Sequence, residues 1–349
     1  MVNNTEKLYN FVSCKYICRD LTYFTLCCFI SHEFTTGMKY FFSHLTESYL
    51  FMAVYITGCS LLWLPDFFIG APLTASYVLS VAGTYMGMWV NALVLMSIVW
   101  DMGVTKKRSA LAAALYMLFT GCLVSLHTMW KTQLVVAVFQ AVLFLTMKTY
   151  HKPNAVQESF QATMLLCLAG LAIPDILLFI PIVWVILWVQ RSFNLKVWMA
   201  SLIGAATILL YAVLFHWLDW IHIGSIADIC ARTEIQPFGT VHLTALIVTA
   251  TEGLLAVCYS SVYFRDETHN IQAYILCFIF STILASIMMF FPPKNFPSLL
   301  TVSILSLTYL LTYYYHKHHS VLSGILFILH TLVWLTIFGL SSYHPLMVQ

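Results

Sequence analysis

Two proline–aspartate pairs interrupt otherwise apolar sequence, in LLWLPDFFIG at 61–70 and LAIPDILLF at 171–179. If Asp66 and Asp175 converge on one cavity, they can supply a general base and a cation-binding or charge-stabilising group, so both are candidate catalytic residues. The same pairs also make good turns. Proline interrupts a helix, and aspartate accepts hydrogen bonds from the free backbone N–H groups beside it.

A third carboxylate lies deeper. Glu252 falls in TALIVTATEGLLAVCYSS, near the middle of an apolar run. A charged carboxylate at the bilayer centre costs about 2.5–3.5 kcal/mol on insertion scales, so such residues face the bundle interior or a wet cavity. On a helical wheel Tyr259 and Thr249 lie nearest to it, with Thr244 and Ser260 further round. Either this polar face serves transport, or a protonated Glu252 serves as packing glue between helices. Asn91 and His330 are further intramembrane polar groups, as are Gln133 and Gln140, seven apart on one helix face. Each is expected to bond across to a neighbouring helix.

The segments that hold these residues are membrane-spanning. Of 349 residues, 61% are hydrophobic and 9% charged, against roughly 25% charged in a soluble domain. Apolar runs near 20 residues long indicate an all-α polytopic transmembrane bundle. Eleven spanning helices are expected near 48–64, 77–100, 109–126, 131–150, 158–172, 175–190, 197–218, 239–263, 271–291, 296–315 and 320–340. Pro174 and Asp175 leave two readings of the fifth and sixth, as separate helices or as one bent hairpin.

Loop charge supports that threading. With a cytosolic N-terminus, Lys39, Lys106, Lys107, Arg108, Lys148, Lys152, Arg191, Lys196, Arg265 and Lys317 fall inside, and Lys131, Arg232 and Lys294 outside. Ten against three follows the positive-inside rule. Both Pro-Asp pairs then sit on the outer face. The outer loop 219–238 carries Ile223, Ile226, Ala227 and Cys230 at helical spacing, which predicts a short amphipathic helix on the surface. Residues 1–37 differ in composition and are read as a tail, either cytosolic or preceding a start at Met38. Residues 38–349 form one transmembrane domain.

Several chemistries find no motif. The sequence holds no Walker loop, dinucleotide glycine pattern, HExxH or usable GxSxG, and its histidines lack metal-ligand spacing. No metal, cofactor or nucleic-acid partner is expected. The ten cysteines form no CxxC pair; Cys59, Cys122, Cys167, Cys258 and Cys277 lie in apolar runs, as small apolar residues do. The Tyr313-Tyr314-Tyr315 run with His316, His318 and His319 reads as an interfacial anchor.

The loop WVQRSFNLKVWMASLIG, 188–204, resembles an R-P-F-N-x-R-E-W segment in a family of uncharacterised multi-pass inner-membrane proteins of Bacteroidota. Arg191, Phe193, Asn194, Trp198 and Gly204 match that pattern, Lys196 keeps a positive charge, and Ser192 and Val197 depart from it. The resemblance implies a bacterial inner membrane and no established activity. From the residues alone, Arg191, Lys196 and Trp198 suit contact with anionic lipid headgroups.

Three functions fit these features. One is cell-envelope biogenesis on a lipid-linked glycan. Asp66 and Asp175 would serve a polyprenyl-linked substrate, as membrane glycosyltransferases place an acid in the first outer loop. Another is a transporter or flippase lined by Glu252, Asn91 and His330. The last is a non-catalytic subunit with a membrane protein partner, in which the polar groups only pack.

Overall fold

The structure, a computed structural model, describes residues 49–64, 74–103, 109–152, 154–172, 174–214, 240–289, 296–317 and 321–347. Among the described residues there are eleven α-helices and no strands: α1 (Tyr49–Leu61), α2 (Ala75–Asp101), α3 (Leu111–Gly121), α4 (Trp130–Met147), α5 (Val156–Ala172), α6 (Ile180–Val189), α7 (Leu195–Leu214), α8 (Thr240–Tyr263), α9 (His269–Met288), α10 (Phe296–Lys317) and α11 (Val321–Met347). Each expected span has its helix. Asp66, the surface helix expected in 219–238, and residues 1–37 lie outside the described residues.

Seven helices, α2, α4, α7, α8, α9, α10 and α11, are long and apolar enough to cross a membrane. The other four are shorter than the roughly 20 residues a full crossing takes: α1 has 13, α3 11, α5 17 and α6 10. Proline shortens α6. Pro174 opens a 3₁₀ turn over Pro174–Phe179, and Pro181 sits in the first turn of the helix that follows. The turn folds tightly onto α5, where a side chain at Gly170 would come within 2.5 Å of Leu177. Helices five and six are thus separate elements joined by one turn.

With direction alternating from helix to helix, Lys148, Lys152, Arg191, Lys196, Arg265 and Lys317 gather at one end of the bundle. Among the described lysines and arginines, Lys131 alone marks the other end. The cation-rich end is also tied together. Glu267, in the turn after α8, accepts from Tyr313 Oη at 3.2 Å and pairs with Lys317 at the end of α10.

The middle of the bundle is α10, in which residues 298–315 are buried at every position. It packs against α3, α4, α8 and α9. Its buried positions include Ser298, Thr301, Ser303, Ser306, Thr308 and Thr312. In α2, α7, α8 and α11 about a third of the span is buried and the rest is apolar surface. Lipid tails are as apolar as leucine, so burial of apolar area does not sort these helices. Small residues and hydroxyls pack inward because they allow close approach and interhelical hydrogen bonds. The α5–α7 seam shows this directly. Ser159 donates to Val197 O at 3.0 Å, Thr163 to Ser201 O at 3.0 Å, and a Cβ at Gly204 would lie 2.5 Å from Phe160 O.

Candidate functional site

Glu252 sits midway along α8, and Trp334 midway along α11. The Trp334 indole donates to Glu252 Oε2 at 2.8 Å, and both side chains are buried. Gly253 lets α9 come close on the other side, where a Cβ would meet Thr282 Cγ2 at 3.1 Å. Thr249 and Ser260 are buried too, so the polar face expected of this helix does turn inward. Trp334 is itself held by Phe119 of α3, their rings 4.6 Å apart.

One turn from Trp334 on α11, His330 Nδ1 and the Tyr315 hydroxyl lie 3.0 Å apart in a buried contact with α10. The next residue, Thr331, shares a hydrogen bond of 3.1 Å with Tyr55 of α1. Tyr314 stacks on Tyr259 of α8 with centroids 4.6 Å apart. Thus α1, α8, α10 and α11 meet around a carboxyl, an imidazole and four phenols. The donor to Glu252 is a neutral indole, and among the described lysines and arginines none sits at this depth. A carboxyl in such a place can take up and release a proton as its surroundings change.

The tyrosine run at 313–315, expected as an interfacial anchor, turns into the bundle: Tyr313, Tyr314 and Tyr315 are all buried among the helices around α10. Cys258 faces outward, whereas Cys59, Cys122, Cys167 and Cys277 are buried free thiols. Nothing in the sequence marks Trp334 or Tyr315 as a partner of these groups by residue type alone. The spacing of His330 and Trp334, one helical turn apart, was the available signal.

Asn91 belongs to a different set. Its Nδ2 donates to both O and Oε1 of Gln133 at 2.9 Å, and Tyr116 Oη donates to Gln133 Oε1 at 3.0 Å. Gln140 Nε2 then donates to Asn91 O at 3.0 Å. These bonds tie α2 to α4, with α3 behind, and they match the interhelical role expected of Asn91, Gln133 and Gln140. Asn91 is not part of the constellation around Glu252 and His330.

The remaining expected residues lie at the two ends. Asp175 is the second residue of the 3₁₀ turn between α5 and α6, at the end opposite the six cations. At the cation-rich end Arg191 takes a left-handed φ of 56°. Its N–H bonds Trp188 O at 3.0 Å while Ser192 N bonds Leu187 O at 3.1 Å, which together close α6 as a Schellman motif. Asn194 then caps α7, its Oδ1 accepting from Val197 N at 2.9 Å. Arg191 and Lys196 are exposed, and Trp198 rests edge-on against Trp184 with centroids 6.1 Å apart. Among the described residues no group of histidine, cysteine, aspartate and glutamate is arranged to hold a metal ion.

No protein-family model, curated protein or solved structure matches this chain. The chain is a multi-pass α-helical membrane protein.

Proposed function

We propose that this membrane protein moves a solute or lipid across the bilayer in a cycle linked to protonation of Glu252. The observation that carries this reading is the Glu252–Trp334 hydrogen bond at mid-membrane, with the His330–Tyr315 pair one turn away. Intramembrane ionisable groups are costly, and proton relays and substrate paths are what such residues commonly serve. Infrared difference spectroscopy of the protein in liposomes tests it. A protonated-carboxyl band that responds to pH and vanishes in Glu252→Gln is expected, together with loss of proton flux in that variant. A folded Glu252→Gln protein with unchanged spectrum and flux would end the reading.

A second reading, work on a lipid-linked glycan in a bacterial inner membrane, draws support from Asp175 at the cation-poor end and from the loop resemblance at 188–204. It expects a polyprenyl-phosphate lipid to co-purify and to be lost in Asp175→Asn. A stoichiometric protein partner with no such lipid would instead favour the role of complex subunit. Headgroup contact by Arg191, Lys196 and Trp198 is compatible with either.

A further inference from the structure

The polar groups around Glu252 are unevenly placed across the membrane. Glu252 lies roughly 16 Å from the end of α8 at Tyr263, at 1.5 Å per residue. On that cation-rich side of it stand Tyr259, two turns further along α8, and His330, one turn nearer that end of α11 than Trp334. Tyr315 stands two positions before Lys317, whose ammonium pairs with Glu267 in the turn after α8.

Helical side chains lean toward the N-terminus of their own helix. From near the end of α10, Tyr315 therefore reaches back toward the bilayer centre. There its hydroxyl lies 3.0 Å from His330 Nδ1. The charge that acts most strongly on this hydroxyl is that of Glu252, ahead of Tyr314, Tyr55 and Tyr259. Tyr315 thus links the mid-membrane carboxyl to an imidazole, from a position within one helical turn of the aqueous end.

Toward the opposite end the described neighbours are apolar or already bonded. Phe119 packs on Trp334 with ring centroids 4.6 Å apart, and buried Ile337 follows one turn on along α11. The face of α10 that carries Tyr315 continues through Leu311, Thr308 and Ile304, all fully buried. Hydroxyls beside this stretch close on their own helices: Thr308 donates to Ile304 O at 2.7 Å and Thr249 to Ala245 O at 2.8 Å. Their protons are committed to backbone carbonyls.

Resting on the reading of Glu252 as the proton-binding group, we infer that it exchanges its proton only with the cation-rich side of the membrane, through His330 and Tyr315. A proton from that side makes His330 an imidazolium. Its Nδ1 proton passes to the Tyr315 oxygen as the Tyr315 hydroxyl proton passes to the Glu252 carboxylate. Imidazole and phenol end neutral, and Glu252 ends as the acid.

The test uses the full chain in liposomes, sorted to one orientation by a C-terminal tag. The infrared band of the protonated Glu252 carboxyl is followed after an acid jump on one side only. The band is expected to rise at least about tenfold faster after a jump on the cation-rich side than after one on the other. Tyr315→Phe removes one hydroxyl and keeps the ring against Phe327. This variant and His330→Gln should each slow uptake at least about tenfold with the final amplitude unchanged. Tyr309→Phe, on the same helix with its ring stacked on Phe278 of α9, should keep the wild-type rate. Equal rates from the two sides, measured on the wild type alone, would overturn the inference and leave Glu252 as the proton-binding group. Wild-type uptake in Tyr315→Phe would do the same. A band that answers pH from neither side would overturn both.

Discussion

Trp334 of α11 and Glu252 of α8 are 82 positions apart in the chain, yet the indole N–H sits 2.8 Å from the carboxyl oxygen at the centre of the bundle. Trp334→Phe leaves that oxygen without its donor, which is expected to cost about 1–3 kcal/mol. Glu252→Gln keeps an oxygen acceptor and should cost less. Replacing both, as Glu252→Leu with Trp334→Phe, should cost less than the sum of Glu252→Leu and Trp334→Phe made singly. Thermal unfolding in detergent measures all of these, and strict additivity would mean that the bond couples nothing.

Coupling between Asn91 and Gln133 should be modest despite two hydrogen bonds from one amide. Interhelical bonds of this kind in membranes average about 0.6 kcal/mol, with a ceiling near 1.7. A double-mutant cycle of Asn91→Ala and Gln133→Ala is expected to fall in that range. Gln133→Ala alone should be the more damaging change, because it also strips the acceptor from Tyr116.

Gly204 admits no side chain. A Cβ would stand 2.5 Å from Phe160 O and 2.8 Å from Thr163 Oγ1, both on a neighbouring helix. Gly204→Val should therefore separate α5 from α7 and break the Ser159 and Thr163 bonds across the seam. Low yield and loss of a monodisperse peak in size-exclusion chromatography would register it, while Gly339→Val, where a Cβ meets nothing within 4 Å, serves as control.

Arg191→Gly is expected to stabilise the fold. The left-handed backbone at this position, φ 56°, suits glycine at a helix C-terminus. A gain of up to about 1 kcal/mol is the right scale for relieving a non-glycine residue there. Binding to anionic vesicles should weaken at the same time, because an exposed cation is lost. Unfolding and vesicle co-sedimentation, run together, separate the two effects.

Helix positions were legible because each span is a long apolar run. Expectation put the eighth helix at 239–263, and the structure has Thr240–Tyr263. Inward placement of Glu252 followed from one helical wheel, since Thr249 and Ser260 share its face. What faces it from other helices was not legible. Tryptophan reads as apolar or interfacial, so nothing marked Trp334 as the donor. Tyr315 near a chain of histidines reads as an anchor, and only the enclosure of α10 turns it toward His330. The pair Gln133 and Gln140 shows both sides of this: their seven-residue spacing announced a shared face, but Asn91 as their common target required the packing of α2 on α4.

The burial of α10 on every side bears on how the protein is made. It is the least apolar of the seven long helices, and its serines, threonines and tyrosines are buried among neighbouring helices instead of facing lipid. Alone, such a segment partitions poorly from the translocon into the bilayer. Its entry therefore depends on α3, α4, α8 and α9 already being present to receive it. Biogenesis would then be ordered, with the late helix completing a cavity left by the early ones. Damage to any of those four should show up first as failed membrane integration of α10, before any loss of activity.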